Sequence, residues 1–208
     1  MTMKNTSIKR SFLIIALMHV FALTCLSQVS LTFDLYKLTL NGLNMQDLTV
    51  NKVTDILGRP SASESNQMIA DALGPKVLYH NKGVTFWFKS KQKDPLQKVF
   101  LITLYLVRTW DKDYNDFYMP FSGHITPIIT PNQKESSISQ LFKNYDVTIQ
   151  SAEDNRKEHD KLFKELNIST NVSENNQDFV RIKNKNGMVI ISCEEVTKFI
   201  EKISITFE

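Results

Sequence analysis

The chain contains only two cysteines, and that scarcity limits both its cross-linking and its chemistry. Cys25 lies within an N-terminal segment that reads as a leader, so its removal would leave Cys193 alone. One cysteine cannot form an intrachain disulfide, and the stability of an exported chain would then depend on packing. We expect Cys193, which follows a strand-like run, to be a quiet, half-buried thiol. A reactive nucleophile or an intermolecular bridge is the alternative.

Motifs that carry catalysis or hold a cofactor are also missing. Outside the leader the histidines are His80, His124 and His159, and none has a partner at metal-ligand spacing. The aspartates between positions 111 and 116 lack the glycine turn and closing glutamate of a calcium loop. There is no glycine-rich phosphate loop and no serine in a nucleophile elbow. We therefore expect no metal, no cofactor and no catalytic residues, and the chain is predicted not to be an enzyme; the alternative is an enzyme assembled from dispersed residues.

An excess of positive charge is lacking once the leader is set aside. The chain has 25 basic and 22 acidic residues, and the leader holds three of the basic ones (Lys4, Lys9 and Arg10) and no acidic one. The remainder is therefore neutral, and it has no basic stripe. Because nucleic-acid binding depends on clustered positive charge, we expect no nucleic-acid partner.

The first 27 residues have the organisation of a secretory signal peptide. A positive start is followed by the mostly apolar run from Ser11 to Thr24, and small residues precede a cut before Gln28. The run is short for a membrane span, so we expect no transmembrane segment after cleavage. The prediction is an exported protein, periplasmic or secreted. A retained anchor is one alternative; a lipid attached to Cys25 is another, although the residues before it fit a lipobox poorly.

The clearest structural signal is alternation between Gly83 and Leu106. Two runs joined by a polar loop alternate along their length and are rich in β-branched and aromatic residues. This pattern predicts two antiparallel strands with one face on a core. The face expected toward the core carries Phe86, Phe88, Phe100, Ile102 and Leu104. The other face, expected to be open to solvent or to a partner, carries Thr85, Trp87, Lys89, Thr103 and Tyr105.

The same pattern returns near the C-terminus and suggests a duplication. The second set of core-facing residues is expected to be Met188, Ile190, Ile203, Ile205 and Phe207. A helix predicted over Val50–Leu57 has a counterpart at residues 138–142. We therefore predict an α+β fold of two tandem β-α-β-β-β units, each with a short helix packed on a small antiparallel sheet. The first unit spans residues 28–109, an aromatic connector 110–120, and the second unit 121–208 with an inserted charged helix at about 152–166.

The helix of the first unit ends in Ile-Leu-Gly-Arg-Pro and is followed by a tyrosine-bearing strand and a hairpin. This arrangement resembles the BamE/SmpA-like envelope modules and the tandem unit of the secreted beta-lactamase inhibitor protein. The residues that carry the resemblance are Val53, Ile56, Leu57, Gly58, Pro60 and Tyr79. It implies an exported protein that binds other proteins rather than catalysing a reaction. The second unit departs from the pattern, with Lys143-Asn144-Tyr145 after its helix, and no binding residue is carried over.

The most unusual composition lies between Trp110 and Phe121, where five aromatic rings are set among polar residues. One interpretation is that the rings fill the interface between the two units. The other is a recognition surface, because tryptophan and tyrosine bury a large area and keep a polar group. The candidate binding residues are Trp87, Tyr105, Trp110, Tyr114, Phe117 and Tyr118.

These observations favour an exported, non-enzymatic binding module of the bacterial cell envelope, protein-binding or inhibitor-like, with a protein partner in the envelope. Rings beside acidic residues also suit a sugar, so a carbohydrate-binding or glycan-processing protein is an alternative. A structural envelope lipoprotein, acylated at Cys25, is a third.

Overall fold

The computed structural model describes residues 30–63, 75–88, 97–154, 156–157, 177–194 and 196–207. The predicted signal peptide, including Cys25, lies outside these residues. The described residues from Leu31 onward belong to one compact unit. Across the described ranges, no helix combines the length and apolar character that a membrane crossing requires.

Short elements come first in the chain. Strands β1 (Thr32–Asp34), β2 (Thr39–Leu40) and β3 (Leu43–Asn44) are followed by a 3-10 turn (Met45–Asp47) and helix α1 (Val50–Leu57). Helix α1 forms where the sequence predicts it. Its N-terminus is capped by the Thr49 side chain, which accepts a hydrogen bond from the backbone N–H of Lys52, and Gly58 ends it at φ 79°. The helix buries Val53 and Leu57 on one side.

Strands dominate the rest of the described chain. The elements are β4 (Ala62–Ser63), β5 (Lys76–Tyr79), a second 3-10 turn (His80–Lys82), β6 (Val84–Phe88), β7 (Val99–Tyr105), β8 (Thr109–Asp111), β9 (Asp116–Tyr118), β10 (His124–Thr126), α2 (Glu135–Leu141), β11 (Asp146–Gln150), β12 (Gln177–Asn184), β13 (Gly187–Glu194) and β14 (Ile200–Thr206). Of the predicted inserted helix at 152–166, residues 152–154 and 156–157 are helical, and the other positions lie outside the described residues.

One eight-stranded antiparallel sheet organises these elements, in the order β11-β12-β13-β14-β7-β6-β5-β4. Its central neighbours are β7 and β14, which place Ile102 opposite Ile205 and Leu104 opposite Ile203. On one side of this pair lie the strands that follow α1, and on the other side those that follow α2. Two smaller sheets accompany it: β10-β1-β2-β3, in which β1 and β10 are parallel, and the hairpin β8-β9.

The predicted fold class is wrong. Strands assigned to two small sheets lie in one large sheet, so the structure is mostly β and not a tandem of helix-on-sheet α+β units. The helices α1 and α2 have only 8 and 7 residues. The physical reason is the pairing of β7 with β14. Two separate sheets would each leave one of these strands as an edge with unpaired backbone groups, whereas the joined sheet satisfies both.

The hydrophobic core lies on one face of the large sheet. A single cluster of buried residues joins that face to α1, α2 and the sheet β10-β1-β2-β3; it includes Phe33, Leu40, Val53, Ile138, Phe142, Phe86, Ile102 and Ile203. Tyr79 ties β5 to the end of α1, because its hydroxyl donates to the carbonyl of Gly58 at 3.0 Å. Burial of such side chains contributes roughly 1.5–3 kcal/mol each, so this cluster dominates stability.

Three residues expected to face the core do not. In β13 the buried residues are Val189 and Ile191, whereas Met188 and Ile190 are only half-buried. In β7 Phe100 is also half-buried, because the pairing with β6 skips it. Trp87 pairs with Leu101, and the next residue, Phe88, pairs with Val99. The remaining residues predicted to face the core are buried, namely Phe86, Phe88, Ile102, Leu104, Ile203, Ile205 and Phe207.

Candidate functional site

The hairpin β8–β9 forms a second layer on the outer face of β5, β6 and β7, opposite the core. In the hairpin Thr109 pairs with Tyr118 and Trp110 with Phe117. Because side chains alternate across a strand, Tyr118 turns inward and is 4% exposed, whereas Trp110 and Phe117 are 44% and 37% exposed. The rings of the connector therefore divide between an inner and an outer set.

Tyr118 fastens the hairpin to the large sheet. Its ring stacks on Tyr105 of β7 with the centroids 3.9 Å apart, and its hydroxyl oxygen accepts a hydrogen bond from the Thr85 hydroxyl at 3.0 Å. Thr85 is therefore buried on a face that the sequence led us to expect open, and Thr103 of the same face is buried too. Burial raises the pKa of both tyrosine hydroxyls above their usual value, so both remain protonated at neutral pH.

His80 forms a second attachment between the layers. The histidine is 4% exposed; its Nε2 lies 3.1 Å from Asp111 Oδ2 and its Nδ1 3.6 Å from Asp116 Oδ2. Its backbone carbonyl accepts a hydrogen bond from the N–H of Met119 at 2.8 Å. Both ring nitrogens thus face carboxylates of the hairpin, which suits a positioning role better than a catalytic one.

Lys76 brings a buried positive charge to the same face. Its side chain is 8% exposed, and its ammonium lies 5.0 Å from the ring centroids of both Trp87 and Tyr114. Asp113, in the turn between β8 and β9, places a carboxylate oxygen 3.4 Å from Lys76 Nζ. The two rings and the carboxylate together stabilise an ammonium that has left water.

A pocket of about 210 Å³ opens between the hairpin and the sheet. Its aromatic lining comes from Trp87, Tyr105, Trp110 and Tyr118, so both tryptophans of the chain contribute. Its charged lining comes from Lys76, Lys112, Asp111 and Asp113. The pocket can therefore offer ring surfaces and charges of both signs to a bound group.

The two remaining candidate residues lie beside the pocket. Tyr114 contacts Lys76 and also His80, with ring centroids 5.8 Å apart. Phe117 packs on Trp110 at 4.6 Å, and the guanidinium of Arg108 lies 3.9 Å from the Phe117 ring centroid. All six candidate residues thus lie in one region. The last of the five rings between Trp110 and Phe121, Phe121 itself, instead packs edge-on against Phe33 of the core cluster.

Lys76 and His80 belong to the site but were not among the residues predicted from the sequence. Lys76 meets Asp113, and His80 meets Asp111, across 37 and 31 positions of the chain. The sequence contains one indication that Lys76 is unusual. It begins a strand whose other residues, Val77, Leu78 and Tyr79, are apolar or aromatic. A charge in such a run needs a partner from elsewhere in the fold. Within the described ranges no three His, Cys, Asp or Glu side chains are grouped so as to hold a metal ion.

Comparisons with known proteins gave no match: no protein-family model, no curated protein and no solved structure was found to be similar to this chain. The resemblance to the BamE/SmpA-like modules and to the beta-lactamase inhibitor protein therefore stays a prediction.

Proposed function

We propose that this chain is an exported, non-enzymatic protein of the bacterial cell envelope that binds another protein through the hairpin β8–β9. The observation that carries the proposal is the exposed pair Trp110 and Phe117, of which Trp110 lines a pocket together with Trp87 and Tyr105. Partly exposed aromatic anchors beside a pocket are typical of the centres of protein interfaces.

The composition around this pair also supports a protein interface. Met119 is 47% exposed and follows β9, and Arg108 stacks on Phe117. Tryptophan, tyrosine, phenylalanine, methionine and arginine are the residues enriched in protein interfaces. We call the exposed residues Arg108, Trp110, Phe117 and Met119 the aromatic rim.

The rim rests on a preorganised base. Tyr118 is stacked on Tyr105, and His80 contacts Asp111 and Asp116 on the two strands of the hairpin. Side chains already fixed by packing lose little conformational entropy when a partner binds. A rigid platform of this kind suits an inhibitor-like module.

The test of binding is affinity capture with the chain that begins at Gln28. We expect the wild type to capture a partner from an envelope extract. The double variant Trp110→Ala/Phe117→Ala should bind that partner about thirtyfold more weakly or worse, because hot-spot residues contribute about 2 kcal/mol or more to the free energy of binding. The matched control is Phe199→Ala, since Phe199 is 43% exposed but lies outside the rim. Equal recovery by the double variant and the control contradicts the proposal.

The exported location rests on the pattern of the first 27 residues, and intact mass of the processed protein tests it. We expect a mass that begins at Gln28, in the fraction that contains free envelope proteins. A mass that begins at acylated Cys25, in the membrane fraction, replaces the proposal with a structural lipoprotein.

A sugar ligand is the second candidate, because the pocket combines rings with Asp111 and Asp113. Carbohydrates stack on aromatic rings and donate hydrogen bonds to carboxylates. Against it, Asp111 is bonded to His80 and Asp113 to Lys76. Binding on a glycan array that is lost in Trp110→Ala favours the sugar.

A further inference from the structure

The charged side chains of the pocket indicate the chemical class of the group that binds in it. Lys76 has an almost fully buried side chain, and a buried ammonium is costly unless an anion lies beside it. In the described part of the chain its ion pair is with Asp113, whose side chain is 42% exposed. The pair therefore joins a buried cation to an anion that is close to solvent.

Asp113 holds Lys76 loosely. Its carboxylate oxygen lies 3.4 Å from the ammonium nitrogen, whereas charge-assisted bonds of this type are usually about 2.7–2.9 Å long. Asp113 also belongs to the turn of a two-stranded hairpin and not to the large sheet. An ammonium has three donors, and one long bond leaves capacity for another acceptor.

The other carboxylate of the pocket does not compete for this role. Asp111 is bonded to His80 Nε2 at 3.1 Å, and its side chain is 9% exposed. Lys112, by contrast, is exposed and also lines the pocket. Lys112 therefore places a second, exposed cation beside the Lys76–Asp113 pair.

We propose that the pocket binds a carboxylate, the acidic side chain of the protein partner, which pairs with Lys76 in place of Asp113. The inference rests on the proposed protein-binding function and names the partner chemistry at the same site. The pocket volume of about 210 Å³ has room for one side chain. It is several times the volume of about 30 Å³ that one water molecule takes up in the liquid. A cationic group fits poorly because Lys76 already occupies the position over Trp87 and Tyr114 that a cation would seek.

Fluorescence titration tests the proposal directly, since both tryptophans line the pocket. The probes are N-acetyl-glutamate amide and, as the neutral match, N-acetyl-glutamine amide, titrated at constant ionic strength. We expect a saturable change in emission with the glutamate probe and none with the glutamine probe. Equal responses to the two probes, or no response to either, overturn the proposal.

Two variants separate a binding role from a structural one. Lys76→Met should abolish the response to the glutamate probe. Asp113→Asn removes the internal competitor from an exposed turn, and it should tighten glutamate binding about two- to fivefold, the range set by a partly exposed ion pair. Asp146→Asn, at an exposed position of β11, is the matched control and should leave affinity unchanged. Unchanged or weaker binding in a folded Asp113→Asn protein overturns the proposal even where Lys76→Met fails to fold.

Two further outcomes distinguish an acidic side chain from an acidic sugar, and the carboxylate proposal from the protein-binding function. Saturable binding of glucuronate without binding of the glutamate probe overturns the acidic side chain in favour of an acidic sugar. If the aromatic rim is required for partner capture but neither probe binds to wild type or Asp113→Asn, the protein-binding function stands and the carboxylate proposal is wrong.

Discussion

Tyr105 and Tyr118 stack with their ring planes inclined by only 11°, and this contact joins the central strand β7 to the hairpin that carries the candidate site. The pair lies on the face of the sheet opposite the core, so the hairpin adds a second packed layer to the fold. Loss of this contact should therefore lower the stability of the protein as well as disturb the site.

Truncation of Tyr118 should destabilise the protein strongly. We expect Tyr118→Ala to lower the free energy of unfolding by about 3–5 kcal/mol, as for other buried aromatic residues. Tyr118→Phe should lower it by about 1 kcal/mol, because the buried Thr85 hydroxyl loses its acceptor. Urea unfolding measures both. The control is Phe117→Ala, on the outer side of the same hairpin, and a loss there as large as in Tyr118→Ala contradicts the packing described.

Gly83 should tolerate no side chain, for reasons beyond its own backbone. It has φ 63°, and a Cβ there would overlap the carbonyl oxygen of Met119 and lie 2.8 Å from the N of Phe121. Gly42 has a similar φ of 81° with nothing within 4 Å. We expect Gly42→Ala to lower the free energy of unfolding by about 1 kcal/mol from backbone strain. Gly83→Ala should cost at least about 1 kcal/mol more because of overpacking; equal losses on chemical unfolding contradict this.

The alternating runs of the sequence predicted β6, β7 and β14 but not how the strands assemble. Phe86 and Ile102 each lie next to a threonine, Thr85 and Thr103, so their inward face can be inferred from the pattern. In β13 every residue from Met188 to Ile191 is apolar, and only pairing with β14 decides that Val189 and Ile191 face the core. β7 and β14 lie about a hundred residues apart in the sequence. Local periodicity predicts which residues of a strand share a face, but it does not predict which distant strand will pair with it.

For the site, composition identified the rings but not their charged neighbours. Trp110 and Tyr118 stand out in any local window, whereas Lys76, His80 and Asp113 are ordinary residues until the fold brings them together. The division of the rings between an exposed rim and a buried base also depended on the hairpin register, in which Trp110 pairs with Phe117. The sequence predicted a local enrichment, and the pairing of strands converts it into a pocket.

His80 should couple more strongly to Asp111 than to Asp116. Both carboxylates approach the imidazole, but the Asp111 side chain is 9% exposed at 3.1 Å and the Asp116 side chain 59% exposed at 3.6 Å. Double-mutant cycles with His80→Leu, Asp111→Asn and Asp116→Asn measure the two coupling free energies on urea unfolding. We expect about 1–3 kcal/mol for the buried pair and under about 1 kcal/mol for the exposed one. The reverse order refutes Asp111 as the main partner.

Glu135 and Glu194 should give opposite pH dependences of stability. Burial and the nearby charge of Asp178 raise the pKa of Glu135 in the folded state, so its contribution is present below the ordinary value of 4.5 and is lost as pH rises through the raised value. Hydrogen bonds from the Thr197 backbone and side chain lower the pKa of Glu194, so its contribution is present above 4.5 and is lost as pH falls through the lowered value.

Thermal melts of Glu135→Gln and Glu194→Gln between pH 3 and pH 8 check both signs. Relative to wild type, Glu135→Gln should be the more stable protein at neutral pH, and the difference should shrink toward acid. Glu194→Gln should be the less stable at neutral pH, again with a difference that shrinks toward acid. Parallel curves for the two variants contradict the assignment.

Cys193 should be inert in the folded protein and report on unfolding. It lies in β13 with 0% exposure, and burial, with nearby carboxylates, raises the pKa of its thiol to about 12. At pH 8 the thiolate fraction is then about one in ten thousand, and the thiolate is the reactive species. A protein that begins at Gln28 has no other thiol.

Ellman's reagent should therefore leave the native protein unmodified on the timescale of minutes and release one equivalent of thiolate in denaturant. Val196→Cys in a Cys193→Ala background is the positive control, since Val196 is 84% exposed, and it should react at once without denaturant. A native reaction at Cys193 as fast as this control would mean an accessible thiol, and with it the reactive or bridging cysteine that burial argues against.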